Sequence, residues 1–130
     1  MSPRGQAPRL NRESSSIAGL WATGSQGGRV ELYHCGLAIR GKMDDAAPLR
    51  ANPDQRDIKN PDRTLRNRRL KGLIVLYGFT GGPKLWKVYD PETGEGAVKD
   101  YLTLREDGKL EVKGCKVAIF CRTKVWTRVR

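Results

Sequence analysis

Acid and base crowd together once in this chain. Asp57, Asn60 and Asp62 stand a few positions from Arg63, Arg66, Arg68 and Arg69. At the mouth of a pocket such a mixture binds a polar head group, because arginine forms paired hydrogen bonds to carboxylate or phosphate. The same residues have a plainer use, in which Asp57 and Asn60 cap a helical turn and the arginines stay solvated. Both uses remain open on the sequence. Lys71 brings the basic residues of this run to five, a charge footprint that also suits an anionic partner such as nucleic acid. Stacking on bases would need an aromatic cluster, however, and the aromatic residues here are scattered singly.

The other polar groups point to less. Asp90, Glu92 and Glu95 supply oxygens of the kind that calcium accepts, but a turn rich in Asp, Pro and Gly has that composition anyway. His34 is the sole histidine, so every histidine-based triad would rest on it. It shares a phase with Val30 and Leu32 and is expected to face inward as a hydrogen-bonded core residue. The three cysteines, Cys35, Cys115 and Cys121, are too few for a disulfide scaffold and lack metal-ligand spacing. Cys35 and Cys115 lie on the phase opposite the apolar residues of their strands; the expectation is free thiols, with a bond between those two as the alternative. No metal and no cofactor is expected. An enzyme is the weakest reading, because no nucleophile–base pair is visible; Asp57 and Asp62 would act as acid and base only if brought into a cleft.

A length of 130 residues suits one domain with its own core. The formal charge of +11 attracts nucleic acid, anionic lipid or acidic ligands, and equally keeps a protein soluble. No apolar run is long enough to span a bilayer. The basic start MSPRGQAPRLNRESSS lacks an apolar stretch after it, so the chain as written reads as cytoplasmic, or as periplasmic or secreted if an export signal is missing.

The elements that must position these groups are short and alternating. Residues 1–15 form a basic arm of Pro, Gly, Ser, Asn and Arg and are expected to be disordered; residues 16–130 form the folded domain. Strands are expected over 17–23, 29–35, 37–43, 70–79, 85–90, 97–105 and 109–115, with a long final one over 116–130. Asp107-Gly108 suits a hairpin turn. Residues 44–67 break the rhythm with three prolines, and loops this long are often functional. A helical turn is expected near 61–67, with Asn60 as its cap and Pro61 in its first position. About eight strands and no long amphipathic helix make the class all-β, a single up-and-down antiparallel barrel.

Closure requires the first and last strands to meet. Gly19–Trp21 then lies beside the final run, where the Arg128 guanidinium covers the Trp21 indole in a cation–π contact. Gly19, Trp21, Trp126 and Arg128 are assigned to this structural closure. A Gly-x-Trp on the first strand and an Arg on the last resembles the lipocalin and fatty-acid-binding pattern.

A fuller resemblance extends from about residue 17 to 129. GLW, ELYHCG at 31–36, Gly41, DIKNPD at 57–62, LRNRRLKG at 65–72, LYGF at 76–79, YDPETG at 89–94, LEVKGC at 110–115 and RTKVWTRV at 122–129 together resemble the bacterial domain-of-unknown-function family 2147. The resemblance implies a lipocalin-like barrel, typically of an exported protein, and no established reaction. The expectation is therefore a non-enzymatic barrel that binds a small apolar or amphipathic molecule. His34, Asp57, Asn60, Asp62, Arg66, Arg69, Leu76 and Leu102 are its candidate contacts. The alternative is a filled barrel whose basic surface docks an acidic protein, nucleic acid or an anionic membrane.

Overall fold

Alternation of apolar and polar residues builds a sheet with one dry face. In β1 (Gly19–Ala22), β2 (Arg29–Cys35) and β3 (Ala38–Asp45), Trp21, Val30, Leu32 and Ile39 are buried. Six strands follow: β4 (Ile74–Phe79), β5 (Lys87–Asp90), β6 (Glu95–Gly96), β7 (Lys99–Leu104), β8 (Leu110–Val117) and β9 (Phe120–Arg128). The computed structural model describes residues 17–79, 87–96, 99–117 and 120–130. The N-terminal arm expected over residues 1–15 lies outside them.

Every ladder is antiparallel, in the order β6-β5-β4-β3-β2-β1-β9-β8-β7. β1 pairs with β9 through Trp21 opposite Arg128 and Ala22 opposite Thr127. Alternation of direction around this order makes β6 and β7 run the same way. β6 pairs with β5, and β7 pairs with β8. Among the described residues the antiparallel strands curl into a lipocalin-like half-barrel, the all-β class the sequence led one to expect.

Closure is reinforced on both sides. The Arg128 guanidinium carbon lies 4.4 Å from the Trp21 ring centroid, and its Nη1 donates to the Ala18 carbonyl at 3.1 Å. Trp21 Nε1 in turn donates to the Ile17 carbonyl at 2.8 Å. Gly19 (φ +143°) has no room for a side chain, since a Cβ would lie 2.5 Å from the Arg130 carbonyl oxygen. Gly41, in mid-strand, lets Leu32, Leu76 and Val30 approach within about a methyl's width of the β3 backbone.

Four expectations need correction. His34 is exposed, not interior. It lies near the β2–β3 turn, opposite the buried Ile39, yet its own ring stays in solvent. The segment after β3 begins two residues later than expected and contains a one-turn helix α1 (Ala47–Ala51), with Pro48 in its first turn and Leu49 buried. The cysteines also differ. Cys115 is bonded to Cys121, and Cys35 alone is free. Residues 116–130 are not one strand: Val117 pairs with Phe120, so the chain reverses between them and places Cys115 opposite Cys121. No Gly or Pro marks that reversal, which is why it escaped notice.

Two outcomes follow. A thiol titration of the unreduced protein should count one reactive cysteine and, after reduction and unfolding, three; reduction should cost about 2 kcal/mol, the loop entropy of so short a ring. Arg128→Ala should remove about 1–2 kcal/mol and lower Tm by several degrees in a thermal melt.

Candidate functional site

Strand direction sorts the connections into two ends. At one end lie the β2–β3 and β7–β8 turns and the C-terminal residues that flank the Trp21–Arg128 contact. At the other lie the β1–β2 loop, residues 46–73, the β5–β6 turn and the β8–β9 reversal. A cavity of about 720 Å³ opens at this second end. Its inner wall is apolar, from Val30, Met43, Val75, Leu76, Val88, Val112 and Trp126. Its rim is polar, from Ser25, Gln26, Arg56, Lys59, Asp90, Glu92, Arg122 and Lys124. This volume is in the range of small-molecule sites.

The segment 46–73 covers part of the mouth. Leu49, Ile58 and Leu70 line the cavity from above. A short two-armed excursion forms within it, where Asp57 N donates to Arg68 O at 2.9 Å and Leu70 N donates to Gln55 O at 3.0 Å. Its anchor is Asp57, only 1% exposed. One carboxylate oxygen accepts from Tyr89 Oη on β5 at 2.6 Å. The other accepts from Asn60 Nδ2 at 2.9 Å and Arg68 Nη2 at 2.8 Å. A second tie joins Lys59 to the β5–β6 turn: Lys59 Nζ donates to Glu92 O at 2.8 Å. There Gly94 (φ +77°) abuts the Lys59 carbonyl so closely that a Cβ would fall 1.8 Å from its oxygen.

Charge in this anchor is held by hydrogen bonding. Burial pushes the Asp57 carboxyl pKa up, but the bonds from Tyr89, Asn60 and Arg68 outweigh it and keep the pKa below the ordinary carboxylate value. Burial and the adjacent Asp57 carboxylate push the Tyr89 hydroxyl well above its ordinary value. Asp62 is also lowered, by hydrogen bonds from Thr64. Among the described residues two buried donors, Arg68 Nε and Trp126 Nε1, have no hydrogen-bond partner; a buried group of this kind costs about 1–3 kcal/mol.

The sequence-derived candidates fall differently from expectation. Of the proposed ligand contacts, Leu76 lines the cavity; Leu102 is core, and His34 is at the opposite end. Asp57, Asn60, Asp62, Arg66 and Arg69 do not line it. They are occupied with one another or with neighbours in the same segment. Asn60 Oδ1 accepts from Asp62 N at 2.8 Å, Arg66 Nε donates to Asn60 O at 2.6 Å, and Arg69 pairs with Asp54 at 3.0 Å. The helical turn is a 3₁₀ turn at Arg63–Leu65, capped by Asp62, not Asn60. Gly19, Trp21 and Arg128 gather at the closure, whereas Trp126 forms cavity wall. Among the described residues no group of three or more His, Cys, Asp or Glu side chains could hold a metal. Asp90 faces Lys124 at 3.6 Å, and Glu92 accepts from Ser25 Oγ at 2.6 Å.

Sequence reasoning missed Met43, Leu49, Val88, Arg122 and Lys124 as cavity lining. The last two carried a visible signal, since they share the phase of Trp126 in a strand whose apolar side is inward. Met43 carried the same signal, in phase with Ile39 on β3; Leu49 lines the cavity through the fold of the segment after β3.

Fold and cavity together define a small lipocalin-like barrel with a lidded interior. The chain belongs to a family of uncharacterised proteins conserved in bacteria, domain-of-unknown-function family 2147, which it matches over residues 19–128. A solved structure of protein HP1028 from the human pathogen Helicobacter pylori, described as belonging to the lipocalin family, superposes with a TM-score of 0.70. That match covers 88% of this chain and 83% of the other at 20% identity, a likeness of fold. No curated protein matches the sequence. Among the described residues no helix is long and apolar enough to cross a membrane.

The Asp57 anchor makes a pH-dependent prediction. Because its folded pKa is depressed, its contribution is fully present above the unfolded value of about 4 and is lost as pH falls through the folded value. Asp57→Ala, which leaves Arg68 and Tyr89 unmatched, should cost about 3 kcal/mol near neutral pH. In melts recorded against pH, the gap between wild type and Asp57→Asn should stay level above pH 5 and narrow below about pH 4.

Proposed function

We propose that this protein is a non-enzymatic carrier that holds a small amphipathic or apolar molecule inside its barrel. The cavity of about 720 Å³ is the observation that supports this. An apolar inner wall beneath a polar rim matches a molecule with one greasy and one polar end. The lid tie through Asp57 and Tyr89 supports retention, since residues 46–73 must shift for wide opening. No nucleophile–base pair converges on the cavity among the lining residues, and the mixed charges of residues 57–69 serve the lid's own architecture.

The Cys115–Cys121 bond supports residence in an oxidising compartment such as the periplasm, in place of the cytoplasmic reading of the bare sequence. Docking of an acidic protein, nucleic acid or anionic membrane on the basic surface has no structural feature in its favour beyond charge.

Native mass spectrometry of protein purified without denaturation tests the proposal. Extra mass of a lipid or metabolite, or uptake of one equivalent of an added amphiphile, is the expected result. A bare mass that persists through incubation with fatty acids and similar amphiphiles would sink the carrier reading.

A further inference from the structure

Strand β9 carries two cations to the mouth of the cavity, where both stay exposed to solvent. Arg122, Lys124 and Trp126 all line the cavity, while Val125 between them is 40% exposed on the outer face. A barrel wall enclosing only apolar matter would have the opposite pattern. The register with β8 grades this face by depth: Trp126 lies opposite Leu110, Lys124 opposite Val112, and Arg122 opposite Gly114. The face therefore climbs from a buried indole to two cations at the mouth. Gly114, itself part of the lining, has no side chain to fill the space beside Arg122.

These cations are not fully balanced from within. Arg56, Lys59, Arg122 and Lys124 line the cavity against only Asp90 and Glu92. Lys124 is paired with Asp90 at 3.6 Å, and Arg56 with Asp54 at 3.1 Å. Lys59 donates to a backbone carbonyl, and the Glu92 carboxylate is engaged by Ser25. Among the described residues the Arg122 guanidinium has no hydrogen-bond or ion-pair partner. An arginine fork beside an apolar hollow is matched by a planar or tetrahedral oxyanion, to which it can make two parallel bonds.

We propose that the molecule carried is an anionic amphiphile, its carboxylate or phosphate head bound by Arg122 with Lys124 beside it. Its apolar chain lies along Trp126, Val112 and Leu76. This rests on the carrier reading and adds to it the chemistry of the head group.

The test is calorimetric titration at low salt with dodecanoate, dodecyl phosphate and the uncharged dodecanol, using wild type, Arg122→Gln, Arg122→Lys and Arg40→Gln. Arg40 is exposed on the outer face of β3, so its variant controls for net charge. Both anionic ligands should bind wild type and Arg40→Gln about tenfold or more tightly than dodecanol does, as expected for charge-assisted hydrogen bonds. Arg122→Gln should abolish that preference while leaving dodecanol affinity unchanged, and Arg122→Lys should restore part of it. Equal binding of dodecanoate and dodecanol by wild type, or a preference that survives Arg122→Gln, overturns the head-group assignment and leaves the carrier reading standing. Inorganic phosphate that competes as well as dodecyl phosphate overturns it in favour of a small-anion site. Failure of all three amphiphiles to bind overturns both readings together.

Discussion

An all-antiparallel sheet can close only around an even number of strand courses, and the pairing of β1 with β9 is where this chain meets that constraint. Everything else depends on it. Without that ladder the last strand would present a long unpaired edge and the first would have a single neighbour. With it, the inward faces enclose one volume, and Trp21 becomes completely buried. Arg128 and the Gly19 backbone secure the join from the side where strands would fray. Direction around the ring also decides which connections share an end, so closure fixes the location of the mouth.

The hollow and its lid form a second level. A barrel of eight courses is small enough to fill with side chains or to keep a cavity. Here Gly41 and Gly114 sit on the inward face, while the bulk of residues 46–73 is placed over one end instead of within. The lid is tied down by a buried carboxylate with three donors from separate parts of the chain, Tyr89 on β5 and Asn60 and Arg68 within the lid. A buried carboxylate is tolerable only when it is so fully engaged. The arrangement therefore specifies one lid position, and it leaves the neighbouring Lys59 pressed against the β5–β6 turn at the rim.

Arg122 and Lys124 of β9, exposed at the mouth above the buried Trp126, give the cavity polarity along its depth. Deep within, the wall is aliphatic and aromatic; near the mouth it is positively charged. The disulfide between Cys115 and Cys121 holds together the two strands that carry this gradient, close to the point where they reverse. Covalent linkage and positional grading thus fall on the same hairpin.

Much of the fold was legible because strands leave a period-two trace in the chain. Val30 with Leu32, Leu110 with Val112, and the Trp21–Arg128 pair could be placed by phase and by the need to close a sheet. Asp107-Gly108 announced its turn through residues that tolerate positive φ. The candidate site was much less legible. Periodicity reports the face of a strand but not which side chains near a turn are covered, so His34 was placed inside although it is exposed opposite the buried Ile39. Composition showed that acids and arginines were close between residues 57 and 69. Only the folded chain decided that they would satisfy one another, with Tyr89, 32 positions beyond Asp57, completing the set. The reversal between Val117 and Phe120 carries no turn residue, so the Cys115–Cys121 pairing depended on tertiary register. Whether the interior is hollow depends on the sum of packed volumes against barrel circumference, a quantity no local pattern contains. The sequence by itself determined an all-β barrel closed by its two ends; tertiary structure decided the cavity, its lid and the charge at its mouth, because each arises from residues distant in the chain.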